Sequence, residues 1–151
     1  MREAQLSGLN LPYVSMVVSI DQQDPDTIHP IKKYEIGKRL AGLAAAQVYE
    51  RGNYAFSPII SSVKLNGPTA RVVFQNAYRG LKSSDGKPVR GFEVMDSGGG
   101  WHAAQVTILT PSVTVSAAGI GVIKGVRYCW ADNPNGNLVN SAGLPATPFM
   151  R

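Results

Sequence analysis

Val14, Met16, Val17, Val18 and Ile20 stand close together, broken only by Ser15 and Ser19. A β-branched run without strict alternation predicts a strand covered on both faces, over residues 13–20, as in a parallel α/β sheet. A polar stretch rich in carboxylates and proline follows, from Asp21 to Pro30. The spacing then changes: Ile36, Leu40 and Leu43 recur at i, i+4 and i+7, with Ala44 and Val48 widening the stripe. This predicts an amphipathic helix from Pro30 or Ile31 to Arg51. Pro30 suits the first turn, where its missing N–H costs nothing, and Gly52 with Asn53 supplies a left-handed stop. Strand, loop and helix make one βα unit, which cannot close a core by itself.

Beyond about residue 55 the pattern is all β. Residues 59–65 and 71–75 are joined by Asn66-Gly67-Pro68, a strong turn signal. Lys82 to Lys87 form another turn, feeding a short strand at 91–94. Asp96-Ser97-Gly98-Gly99-Gly100 makes a flexible loop before strands at 105–109, 113–117 and 122–130. Six or seven short strands at regular spacing are the pattern of a β-sandwich. Residues 131–151 look irregular, with Asn133-Pro134-Asn135-Gly136 and two later prolines. The expected fold class is therefore an α+β fragment. Residues 1–54 would be the last strand–loop–helix unit of an α/β domain, and residues 55–151 an antiparallel β-sandwich accessory domain.

Composition narrows the classes. The chain has 151 residues, 44% hydrophobic and 17% charged, too apolar for a disordered tail. Its longest apolar stretches fall well short of the ~20 residues that span a bilayer, so no membrane partner is expected. A single cysteine, Cys129, excludes an intramolecular disulfide framework and a cysteine-based zinc cluster. Met1 is followed by Arg2-Glu3-Ala4-Gln5, which has no apolar core of a secretory signal. The net charge is +5, yet residues 1–50 hold five basic against six acidic side chains, and residues 51–151 ten against four. The ten are spread singly and gather on no helix face, so a nucleic-acid footprint is not expected. Arg71-Val72-Val73-Phe74 reads as one solvated sheet face.

Chemistry is best placed in the loop from Asp24 to His29. It follows the carboxyl end of the expected parallel strand, where open α/β sheets place ligands. Asp26 and His29 have Asp-x-x-His spacing. A carboxylate there can accept the imidazole Nδ1–H and stabilise the imidazolium formed when the ring takes a proton. The structural alternative is that Asp26 or Thr27 merely caps the helix. His29 and His102 are the only histidines, and neither has a second ligand at metal spacing, so no metal and no cofactor are expected. Asp21, Asp24 and Asp26 cluster, but Pro25 and the lack of a turn glycine argue against a calcium loop. Trp101 could be a sugar-stacking platform, although a core-capping aromatic is the simpler reading. Arg127, Tyr128 and Trp130 all fall on the last expected strand.

Several segments together resemble the sialate O-acetylesterase family, carbohydrate esterases of the SGNH hydrolase superfamily. They are Arg2-Glu3-Ala4-Gln5, Asp24-Pro25-Asp26-Thr27-Ile28-His29-Pro30 and Gly37-Lys38-Arg39-Leu40-Ala41. The likeness continues through Gly91-Phe92-Glu93-Val94 and Val126-Arg127-Tyr128-Cys129-Trp130-Ala131-Asp132-Asn133-Pro134. It closes with Gly143-Leu144-Pro145-Ala146-Thr147-Pro148-Phe149. It covers nearly the whole chain, but only the C-terminal part of such an enzyme. The resemblance implies that His29 is the catalytic histidine of a serine esterase. Asp26 is implied as its acidic partner by the superfamily spacing, with Asp24 the alternative on the same loop.

The serine motifs of that superfamily, and its oxyanion blocks, do not occur in the chain. Asp96-Ser97-Gly98 lacks the leading glycine and follows the histidine, so it reads as a hairpin loop. A His–Asp pair without its serine has no nucleophile to activate. The implied partners are the N-terminal segment of the same enzyme and an acetylated carbohydrate. The implied compartment of the full-length protein is secreted, periplasmic or lysosomal. A rival reading is a non-catalytic β-sandwich module that binds glycan or a partner chain.

Overall fold

The structure, a computed structural model, describes residues 2–22, 24, 27, 29, 32–52 and 54–151. It is mostly antiparallel β with two short α-helices. After α1 (Arg2–Leu6) and a 3-10 turn (Ser7–Asn10) the chain runs to α2 (Lys33–Gln47). Ten strands follow: β1 (Ile59–Asn66), β2 (Thr69–Gln75), β3 (Leu81–Ser83), β4 (Phe92–Met95), β5 (Trp101–Ala103), β6 (Gln105–Leu109), β7 (Ser112–Ser116), β8 (Gly125–Tyr128), β9 (Leu138–Asn140) and β10 (Phe149–Met150).

One four-stranded sheet has the order β1-β2-β7-β6, a second has β10-β8-β4-β5, and β3 pairs with β9. Both larger sheets feed one core. Ala70, Val72 and Phe74 point inward from β2, and Val113 and Val115 from β7. Phe92, Val94, Val126, Tyr128 and Phe149 meet them from the second sheet. Period-2 alternation places these residues: Arg71 and Gln75 stay exposed between the buried positions of β2. The Phe92 and Tyr128 rings sit 4.5 Å apart, and Phe149 stands edge-on to Phe74 and Phe92. The β1–β2 hairpin turns at Gly67, whose φ of 57° suits a residue without Cβ.

Four expectations need correction. Residues 14–19 are not a strand; among the described residues they pair with no sheet, and a strand exists only where a neighbour takes its N–H and C=O groups. The helix ends at Gln47, short of Arg51, and the left-handed turn begins at Glu50 (φ 52°) before Gly52; Asn53 lies outside the described residues. The apolar stripe of α2 buries only Leu43, while Leu40 is 52% and Val48 70% exposed. Residues 131–151 are not irregular throughout: they carry β9 and β10, and Asn137, Leu138, Asn140, Ala146, Thr147 and Phe149 are buried.

Chain order explains how this tail holds the rest. Thr147 donates its N–H to Pro58 O at 2.9 Å, and Asn140 Nδ2 donates to Phe56 O and Asn76 O, both at 3.0 Å. The Asn140 Oδ1 accepts from Ala142 and Leu144 N–H. The last strands thus fasten the segment that leaves α2. At the other end, Arg2 donates to Ala131 O (2.5 Å) and Asp132 O (2.7 Å), and Glu3 pairs with Arg151.

Candidate functional site

The chain just ahead of the candidate loop is held by α2. Arg39, two turns into that helix, donates to Val18 O at 2.6 Å and to both carboxylate oxygens of Asp21, at 2.7 and 2.5 Å. Burial works to raise the Asp21 carboxyl, but hydrogen bonds from Arg39 and Gln22 and the Arg39 charge outweigh it. The group is held below the ordinary carboxylate range. Ser15 donates to Gln47 at the far end of the helix, so residues 15–21 lie along α2 although no sheet receives them.

Within the loop, Thr27 N–H reaches Asp24 O at 3.4 Å, closing a tight turn. Thr27 Oγ1 accepts the His29 N–H at 3.0 Å. Thr27 therefore organises the loop and does not cap α2, whose N-cap, Lys32, makes no side-chain cap. His29 is exposed and Asp24 half-buried, so the structure brings both onto one short turn ahead of α2. Asp26 lies outside the described residues. Chemically, an exposed imidazole on a turn ordered by Thr27 can exchange a proton with a group presented from outside this chain. Among the described residues no three His, Cys, Asp or Glu side chains come together as metal ligands, and no helix is long and apolar enough to cross a membrane.

A histidine–carboxylate pair that the sequence pattern did not reveal lies in the β4–β5 hairpin. His102 Nε2 and Asp96 Oδ2 are 2.6 Å apart, while Asp96 Oδ1 accepts N–H groups from Gly98 and Gly100. The His102 bond and those backbone bonds hold Asp96 below its ordinary value. This carboxylate is occupied with its own β4–β5 hairpin, so Asp96-Ser97-Gly98 is a stapled turn. The glycines permit it: a Cβ on Gly100 would lie 2.9 Å from Asp96 Oδ2.

Trp101 does not cap the core. It sits half-buried on β5, opposite Met95 in register, with the Arg127 guanidinium 4.4 Å from its ring centroid. Arg127 in turn grips Glu93 through two bonds of 2.7 and 2.9 Å. Tyr128 faces inward, fully buried, and its Oη accepts the Leu138 N–H at 3.1 Å. Trp130 is no longer on the strand, because Cys129 adopts φ 51° and breaks the alternation. Burial pushes the Cys129 thiol up to about 11, so it is an inert core group. The Arg39–Asp21 clamp had no local signal, since its partners stand eighteen residues apart.

No family model matches this sequence, and no curated protein matches it. Among solved structures, it is similar to a carbohydrate acetylesterase from Xanthomonas citri, with 31% sequence identity and a TM-score of 0.94. The similarity takes in 99% of this chain but 35% of that enzyme, so the chain spans about a third of its length.

Proposed function

We propose that this chain is the C-terminal part of a serine carbohydrate O-acetylesterase of the sialate O-acetylesterase-like, SGNH type. Residues 1–54, with α2 and the turn that carries His29, belong to the end of its α/β domain, and residues 55–151 form its β-sandwich accessory domain. The observation that carries the reading is the likeness to a carbohydrate acetylesterase along essentially the whole chain. It is supported by the braced, exposed His29 turn and by the sequence motifs that surround it.

In the assembled enzyme the N-terminal segment supplies the serine and the oxyanion donors. His29 takes the serine proton, oriented by Asp26 or else by Asp24. The serine oxygen attacks the acetyl carbonyl, and the tetrahedral intermediate expels the sugar oxygen, which takes the proton from His29 to become a hydroxyl. Water, deprotonated by the same ring, then releases acetate and restores the serine. The chain alone lacks the nucleophile and hydrolyses nothing.

The test supplies the N-terminal part, in cis or as a second chain, and follows hydrolysis of an aryl acetate. The assembly is expected to be active and His29→Ala to reduce kcat at least ~10³-fold. Full activity of His29→Ala would sink the assignment.

A further inference from the structure

A cleft of about 370 Å³ lies where α2 meets the β-part, within the size range of small-ligand sites. Glu35, Lys38 and Arg39 line it from the helix, Arg51 and Tyr54 from the segment that follows, and Leu144 from the loop after β9. Its charges are unbalanced. Arg39 is committed to Asp21 and Val18. Lys38 and Arg51 have no ion-pair partner among the described residues, and Glu35 is the single carboxylate among the residues that line the cleft. The Arg79 guanidinium stands 5.9 Å from the centroid of the Tyr54 ring, adding a third cation behind this wall. Tyr54 itself is 47% exposed.

We infer that this cleft binds the carboxylate of an acidic sugar, making the glycan handled by the chain a uronic-acid-bearing one. Cations on a concave, partly apolar wall focus a positive potential inside it. A guanidinium fork and an ammonium lining one cleft suit a planar carboxylate, and the exposed tyrosine offers an aromatic surface to the C–H face of a sugar ring. Two cations in one concavity suit a single acidic residue of a chain. A nucleic acid would call for a row of cations tracking many phosphates, and the remaining basic residues form none. The link to a substrate rests on the acetylesterase reading; the binding itself does not.

The test is affinity electrophoresis of the 151-residue chain through native gels containing polygalacturonate, neutral xylan, sulfated dextran or single-stranded DNA. Polygalacturonate is expected to retard the chain at low salt, less at higher ionic strength, and neutral xylan to leave it unretarded. Lys38→Glu with Arg51→Glu should weaken retention about tenfold or more. The charge-matched Lys82→Glu with Lys124→Glu, on exposed strand and loop positions away from the cleft, should change it less than about twofold. Should the cleft pair fail to fold by thermal melting, Lys38→Gln and Arg51→Gln read the same effect singly. Equal weakening by the control pair, equal or stronger retention by DNA or sulfated dextran, or no retention by polygalacturonate overturns the proposal. None of these results touches the His29-dependent acetylesterase assay. An inactive assembly would likewise leave the gel result standing.

Discussion

Arg39 grips Asp21 through both of its carboxylate oxygens and, with the same guanidinium, takes the carbonyl of Val18. One side chain on α2 therefore fixes the chain just ahead of the loop that carries Asp24 and His29. Arg39 is nearly buried at its side chain and Asp21 only partly exposed (10% and 30%), so little solvent screening weakens the pair. Replacing Arg39 by Met should lower unfolding stability by about 2 kcal/mol, and Asp21→Asn by about 1 kcal/mol. A double-mutant cycle in urea checks the coupling: additive effects would show that the two groups act independently.

Asn140 is fully buried and makes four hydrogen bonds to backbone groups of three separate segments. Asn140→Leu strips donors from two carbonyls and an acceptor from two amides, so it should cost about 3 kcal/mol or more. A loss below about 1 kcal/mol in denaturant melts would mean these groups find water instead.

Asp85 is lowered to about 2 from the ordinary 3.8, first by the Arg90 hydrogen bond and then by that from Asn137. A depressed carboxylate stabilises the fold above its unfolded value, and that contribution is lost as pH falls through the folded one. Stability should therefore drop between about pH 4 and pH 2. Asp85→Asn should flatten this limb in acid-unfolding curves while leaving the neutral-pH side, where only the constant loss appears, parallel to wild type.

Exposed large apolar side chains crowd the first third of the chain. Tyr13 is 97%, Tyr34 79%, Val48 70% and Leu40 52% exposed. Exposed apolar side chains promote association when nothing covers them. Leu40→Glu with Val48→Lys should reduce self-association in sedimentation velocity and shift the melting temperature by no more than about 2 °C. A large fall in melting temperature would show that these side chains are packed in solution.

Gly136 admits no side chain: a Cβ there would sit 2.1 Å from Cys129 Sγ and 2.6 Å from the Tyr128 hydroxyl. Gly136→Ala should cost about 3 kcal/mol through overpacking, and a thermal melt indistinguishable from wild type would show that the 129–136 turn can shift.

Local chemistry made much of the β-part legible. Asn66-Gly67-Pro68 set the first hairpin, and alternation separated inward Val72 and Phe74 from outward Arg71 and Gln75. Strand β6 falls on 105–109 as expected because Val106 and Ile108 alternate cleanly with polar neighbours. The loop with His29 was equally visible as a motif. Strands β9 and β10, at three and two residues, are too short to show a period, and only pairing, β9 with β3 and β10 with β8, makes them strands.

Residue by residue, the sequence determined turn positions, the inward faces of the long strands and the presence of a helix before residue 55. These depend on φ preferences and on side-chain period, which act over a few neighbours. Tertiary structure alone decided that residues 14–19 run unpaired along α2, and that the apolar face of that helix remains largely open to solvent. It also joined Arg39 to Asp21 and Asn140 to Phe56 and Asn76. Pairing and burial need a second surface, and no local pattern states which surface arrives or whether one does.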